Sequence, residues 1–175
     1  DQIAAAYTAS DLSIPKVVEI GQALGRSFAI SERAFGNMLD GLDEPQMVQI
    51  VPAVFQMLDA MRMTDISSTS GYGNWNTEKI APYSTWQEYL LDAWNDPVTS
   101  RTYGWRASLQ NSPIGEAPFN KAFNVLKSLV EKCPKERYLL HTDLLHYNVL
   151  VQGSKISAVI DWGNAMYGDF LYDLA

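Results

Sequence analysis

The chain has 175 residues, with 13 Lys and Arg against 20 Asp and Glu (formal net charge −7), and is 47% apolar and 19% charged. That is the mixture of a folded globular chain, and at this length roughly 70% of the unfolded surface can be buried. The acidic surplus excludes nucleic acid and an anionic membrane as expected partners, and leaves a cationic small molecule or a metal-held anion. One cysteine, Cys133, excludes an internal disulfide. No run approaches the roughly 18 apolar residues of a spanning helix. Asp1 to Ser10 lacks the basic-then-apolar pattern of a signal peptide, so a cytoplasmic location is expected. The sequence starts at Asp1 without a methionine and stops at Ala175 just after Tyr172-Asp173-Leu174, as expected of a piece of a longer chain.

A short helical stretch leads to Ile14-Pro15 and then to two strands, 17–20 and 27–30, linked by Gly21-Gln22-Ala23-Leu24-Gly25-Arg26 as a hairpin. Met47, Ile50, Val51, Val54, Phe55, Leu58 and Met61 recur at helical spacing and predict one buried face over 44–62, with Pro52 removing a hydrogen bond or kinking the helix. Residues 64–84 read as a long Ser/Thr/Gly/Asn-rich loop. Thr85-Trp86-Gln87-Glu88 fits a capping box and starts a second helix. A third helix is expected over 118–131, ended by Cys133-Pro134. From Tyr138 the texture is strand: 138–141, then 148–151 and 156–160 around the turn Gln152-Gly153-Ser154-Lys155. Helices first and a late hairpin predict an α+β fold.

The chemistry-bearing stretch is His141-Thr142-Asp143-Leu144-Leu145-His146-Tyr147-Asn148, followed by Asp161-Trp162-Gly163. With a turn at 152–155, paired residue numbers sum to about 307, so Val151 faces Ile156 and Asn148 faces Val159. Asp161 then lies at the open end of the hairpin beside Asn148, and Asp143 enters that end from the preceding loop. A carboxylate and an amide oxygen at one spot suit a hard cation such as Mg²⁺. Asp and Asn are also common turn formers, a purely structural role that the same positions would fit. His141-x-Asp143-x-x-His146 has in addition the outline of a metal triad, although these are the chain's only two histidines.

H-x-D-x-x-x-x-N followed by D-x-G across a hairpin resembles the catalytic and metal loops of protein-kinase-like phosphotransferases. The run Ile160-Asp161-Trp162-Gly163-Asn164-Ala165-Met166-Tyr167-Gly168-Asp169 with Tyr172-Asp173-Leu174-Ala175 is similar to the aminoglycoside phosphotransferase branch. Thr69-Ser70-Gly71-Tyr72-Gly73, Tyr83-Ser84-Thr85-Trp86 and Cys133-Pro134-Lys135-Glu136-Arg137-Tyr138-Leu139-Leu140 resemble its hygromycin-phosphorylating members. The resemblance implies a protein-kinase-like fold, mainly the helical C-terminal lobe with its catalytic hairpin (residues 37–175), preceded by the end of the N-terminal lobe and the hinge (residues 1–36).

It also implies roles. Asp143 would orient the acceptor hydroxyl and take its proton, and Asn148 and Asp161 would ligate Mg²⁺. The backbone of Ser31 and Arg33 would hold the base of ATP or GTP. His141, Asp169 and Asp173 would support the loops. Read from their positions, Trp162, Tyr72 and Trp86 are candidates to wall a cationic small-molecule acceptor, and equally fit core packing or loop anchoring. His146 is assigned no role. The family's Gly-rich phosphate loop and its nucleotide lysine are not recognisable in the chain. That absence fits a non-catalytic kinase-like remnant or binding module. The other alternative is a small-molecule kinase with another acceptor (macrolide, choline, homoserine or sugar), because acceptor choice resides in variable walls. Oligomeric state is not legible.

Overall fold

The computed structural model describes residues 2–7, 12–144 and 147–175. The short helix α1 (Gln2–Tyr7) precedes an antiparallel hairpin of β1 (Val17–Ala23) and β2 (Arg26–Ser31). The link expected over 21–26 is a two-residue turn. Leu24 and Gly25 both take positive φ, 53° and 74°, the handedness that matches strand twist and lets pairing run on to Ala23 and Arg26.

The long helix α2 (Glu44–Met63) starts at a capping box in which the Asp43 side chain accepts from the Gln46 N–H while Gln46 returns the bond to Asp43. It continues through Pro52. Its core face is narrower than the apolar pattern: Ile50, Met57 and Met61 are buried, whereas Val51 and Phe55 face outward. Thr85 caps α3 (Trp86–Leu91) through the Glu88 box that the sequence predicts. Helix α4 (Trp105–Gln110), entered through a left-handed Gly104, has no counterpart among the predicted elements, and α5 (Ala117–Leu129) follows.

Two small three-stranded sheets carry the late strands. Strand β3 (Asn37–Met38) pairs with β6 (Val149–Gln152), which pairs with β7 (Lys155–Val159). In the other, β4 (Gly73–Asn74) and β5 (Tyr138–Leu140) flank β8 (Met166–Gly168). The segment 64–84 is thus tied down rather than loose. The Arg137 guanidinium donates to the hydroxyl and carbonyl of Thr69 and lies over the Tyr167 ring.

The β6–β7 register departs from the expected one halfway along. Gln152↔Lys155 and Val151↔Ile156 pair as expected, but a bulge follows, and Leu150 faces Ala158 and Val149 faces Val159. Ser157 is the displaced residue, and its hydroxyl donates to the Phe35 carbonyl at 2.7 Å. Gly36 lacks the Cβ that would collide with Ser157 Oγ there. Asn148 therefore faces Ile160, whose N–H donates to the Asn148 carbonyl at 2.9 Å, one residue nearer Asp161 than Val159 would be. The largest core cluster joins Tyr7, Met57, Met61, Leu139, Val159, Trp162 and Tyr167 directly behind that junction. No helix among the described residues is long and apolar enough to cross a membrane.

Candidate active site

Two loops meet at the open end of the β6–β7 hairpin, one leaving β5 with His141, Thr142 and Asp143, the other leaving β7 with Asp161. His141 is fully buried and joins them. Its Nδ1 accepts from the Asp143 N–H at 3.3 Å, and its Nε2 lies 2.8 Å from the Ile160 carbonyl. An amide N–H only donates and a carbonyl only accepts, so the imidazole is neutral with its proton on Nε2. Burial pushes the His141 pKa below its usual value, against the opposing pull of the Ile160 carbonyl and the carboxylates of Asp173, Asp143 and Asp161. The Trp162 ring packs edge-on against the imidazole, 4.7 Å between centroids.

Asp173, from the 3-10 turn Phe170–Leu174, spreads its carboxylate over the first loop. Oδ2 accepts from the His141 N–H and Oδ1 from the Thr142 N–H, both at 2.7 Å. Burial raises the Asp173 pKa even though these two N–H groups and His141 favour its charged form. Thr142 and Asp161 both have left-handed backbones, φ 65° and 62°. For residues other than glycine this costs about 1–3 kcal/mol, and it persists only where neighbouring bonds overdetermine it. At Thr142 those bonds are the Asp173 contact and a hydroxyl bond to the Asn164 carbonyl at 2.9 Å.

Asn148 is buried, and its Nδ2 donates to the Asp143 carbonyl at 2.8 Å. That bond commits the amide nitrogen and leaves Oδ1 as the atom with which the side chain could meet a cation. Among the described residues no group of three or more His, Cys, Asp or Glu side chains gathers into a metal site. Asn148 Oδ1 and the exposed Asp161 carboxylate are hard oxygen donors, of the kind that suits Mg²⁺ supplemented by phosphate oxygens rather than a softer metal. Leu145 and His146 lie outside the described residues, so the His146 position of the metal-triad outline has no structural account.

Ser31 lines a cavity of about 200 Å³ together with Asp161, Trp162 and Gly163, so the end of β2 and the second loop share one space. Arg33 lines a separate cavity of about 390 Å³ with Pro15, Glu32 and Ser157, and its guanidinium lies over the Phe35 ring. A wider cleft of about 880 Å³, also lined by Gly163, opens between Phe28 of β2 and Trp75 and Lys79. Asp169 accepts from the Leu171 N–H at the start of the Phe170–Leu174 turn.

Two of the three aromatic wall candidates sit in the core. Trp162 is 3% exposed and donates Nε1–H to the Val159 carbonyl at 3.0 Å. Trp86, also 3% exposed, lies over Gly168, where any Cβ would collide with its ring, and stacks on Tyr89. Neither indole is exposed enough to wall an acceptor. Tyr72 is partly buried and donates its hydroxyl to the Lys135 carbonyl. Thr142 and Asn74 join the site without any sequence signal. No spacing rule marks them, because their partners are backbone carbonyls 22 to 91 residues away.

The family described as "Phosphotransferase enzyme family" matches residues 1–175. The chain is 34% identical over 170 residues to the hygromycin-B 4-O-kinase of Escherichia coli, a match that covers 97% of this chain and 48% of the relative. It therefore spans about half the length of that protein. Its structure is similar to a crystal structure of a thermostable mutant of aminoglycoside phosphotransferase APH(4)-Ia in ternary complex with AMP-PNP and hygromycin B. The TM-score is 0.86 at 32% identity, over 99% of this chain and 58% of that one. A macrolide 2'-phosphotransferase from Brachybacterium faecium shares the fold more distantly, with a TM-score of 0.57 at 16% identity over 99% of this chain and 55% of that one. With its kinase-like α+β fold and a family match over its whole length, the chain belongs to the phosphotransferase enzyme family.

Proposed function

We propose that the protein is the catalytic portion of an ATP- or GTP- and Mg²⁺-dependent phosphotransferase that phosphorylates a hydroxyl of a hygromycin-like aminoglycoside and so inactivates the antibiotic. The observation that carries this reading is the junction at the hairpin mouth. Asn148 is bonded to Asp143 through its side chain and to Ile160 through its carbonyl, which brings the two loops together beside Asp161. The 34% identity to the E. coli hygromycin-B 4-O-kinase supports the acceptor class.

In this reading Asp143 receives the acceptor hydroxyl. Its backbone is anchored at both ends, by its N–H on His141 Nδ1 and its carbonyl under Asn148 Nδ2, so the carboxylate is presented from a fixed base. There it would orient the hydroxyl and take its proton as the oxygen bonds to the terminal phosphorus, the bond from that phosphorus to the bridging oxygen breaks and the nucleoside diphosphate leaves. Phosphoryl transfer asks a protein mainly for positioning and electrostatics, which a rigid loop pair supplies. Asn148 and Asp161 would hold Mg²⁺, which when bound neutralises phosphate charge. Ser31 and Arg33, at the end of β2, would offer backbone groups to the nucleotide base, with residues 1–36 as the end of one lobe plus the hinge and 37–175 as the catalytic lobe. The acidic net charge favours a polycationic acceptor.

The test is a coupled nucleoside-diphosphate-release assay of the full-length protein against hygromycin B, other aminoglycosides, a macrolide, choline, homoserine and simple sugars. Turnover confined to aminoglycosides is expected. Turnover with one of the other acceptors alone, or with none, would overturn the substrate assignment.

A further inference from the structure

Thr142 precedes Asp143, and its conformation is uncommon: a β-branched residue with φ 65°. Its hydroxyl crosses to the other loop and donates to the Asn164 carbonyl at 2.9 Å. Asn164 closes the 3-10 turn Trp162–Asn164, whose N-cap is Asp161, itself left-handed. The same carbonyl accepts from Asn74 Nδ2 at 3.0 Å, and that amide also reaches the Ala165 carbonyl at 3.5 Å. Asn74 belongs to β4, which pairs with β8 through Asn74↔Met166. One backbone oxygen, three residues after Asp161, thus receives a donor from the loop that carries Asp143 and a donor from the neighbouring sheet.

We propose that Thr142 is a positioning residue whose hydroxyl straps the Asp143 loop to the Asp161 turn, with Asn74 as the fixed post on the sheet side. This rests on the phosphotransferase reading of Asp143 and Asp161. The strap makes the two carboxylates move as one unit, so the acceptor-side group and the cation-side group keep their separation when the loops fluctuate. The left-handed backbone at Thr142 is what aims the hydroxyl across the gap instead of along its own loop. The Asp173 carboxylate on the Thr142 N–H holds that conformation from behind. Positioning of this kind acts on the reacting geometry rather than on ground-state affinity, so its loss lowers kcat with little change in KM.

The experiment compares Thr142→Val, Thr142→Ser and Asn74→Ala in the full-length protein. It reads kcat, KM, melting temperature and amide hydrogen exchange over 141–144 and 161–165. Valine keeps the β-branch and removes the hydroxyl; serine keeps the hydroxyl. Thr142→Val is expected to speed exchange in both segments together and to lower kcat about three- to tenfold, the scale of one hydrogen bond, with acceptor KM within about twofold. Thr142→Ser is expected to restore both readouts. Asn74→Ala removes the post and leaves the strap, so it is expected to speed exchange in both segments together. Wild-type exchange in 161–165 for Thr142→Val, or failure of serine to restore it, would overturn the strap. If Thr142→Val does not fold, Thr142→Ala carries the same comparison. If the wild-type protein phosphorylates nothing, the functional reading fails, and the exchange data still decide whether the strap exists.

Discussion

Asn148 donates its side-chain amide to the Asp143 carbonyl at 2.8 Å, so one residue both orients the proposed proton acceptor and presents an oxygen toward the proposed cation site. Asn148→Asp keeps an oxygen donor but sets a carboxylate against a carbonyl. It is expected to lower kcat at least tenfold and to raise the Mg²⁺ concentration for half-maximal rate, measured by Mg²⁺ titration. Asn148→Ala removes the donor as well and is expected to be worse on both counts.

His141 sets an acid limit. Its pKa is lowered in the fold, so its contribution to stability is fully present above the ordinary histidine value of 6.5 and is lost as pH falls through the depressed folded value. Urea midpoints should therefore fall when pH drops below about 6.5. Asp173 acts in the opposite sense. Its raised pKa makes a contribution present below the ordinary 3.8 and lost as pH rises through the folded value. His141→Gln should flatten the histidine limb; an unchanged acid profile would contradict the buried neutral ring.

Asp173→Asn replaces one of two accepting oxygens with an NH₂ group facing a backbone N–H. The expected loss is about 1–3 kcal/mol, read from urea unfolding, because a buried donor is left without an acceptor.

Gly168→Ala should destabilise by about 1–3 kcal/mol, since the added methyl meets the buried Trp86 ring. Trp162→Phe keeps most of the buried ring but loses the bond to Val159. Melting temperature should fall while acceptor KM stays within about twofold; a large KM change would return Trp162 to the acceptor wall.

Much of this architecture is legible in the sequence because its signals are local. The Thr85–Glu88 box, the turn at 152–155 and the H-x-D-x-x-x-x-N spacing each lie within a few residues of their effect. The register shift at Asn148 is not local. Which residue leaves the β7 ladder is set by the Ser157 hydroxyl reaching Phe35, 122 positions earlier. The burial of Trp86 and Trp162 has the same origin. An aromatic residue near a catalytic motif fits a ligand wall and a core position alike until the facing element is known, here Gly168 for Trp86 and His141 for Trp162. The strained Thr142 is likewise hidden, because threonine carries no sequence mark of positive φ.

The role of Asp143 is decided by phosphoryl transfer to hygromycin B in the full-length protein and its Asp143→Ala variant, with nucleotide affinity measured on both. The variant is expected to lose turnover by at least about 100-fold, the scale of general-base catalysis, while binding nucleotide within about threefold of wild type. Wild-type turnover in Asp143→Ala would contradict that role and the phosphotransferase mechanism built on it.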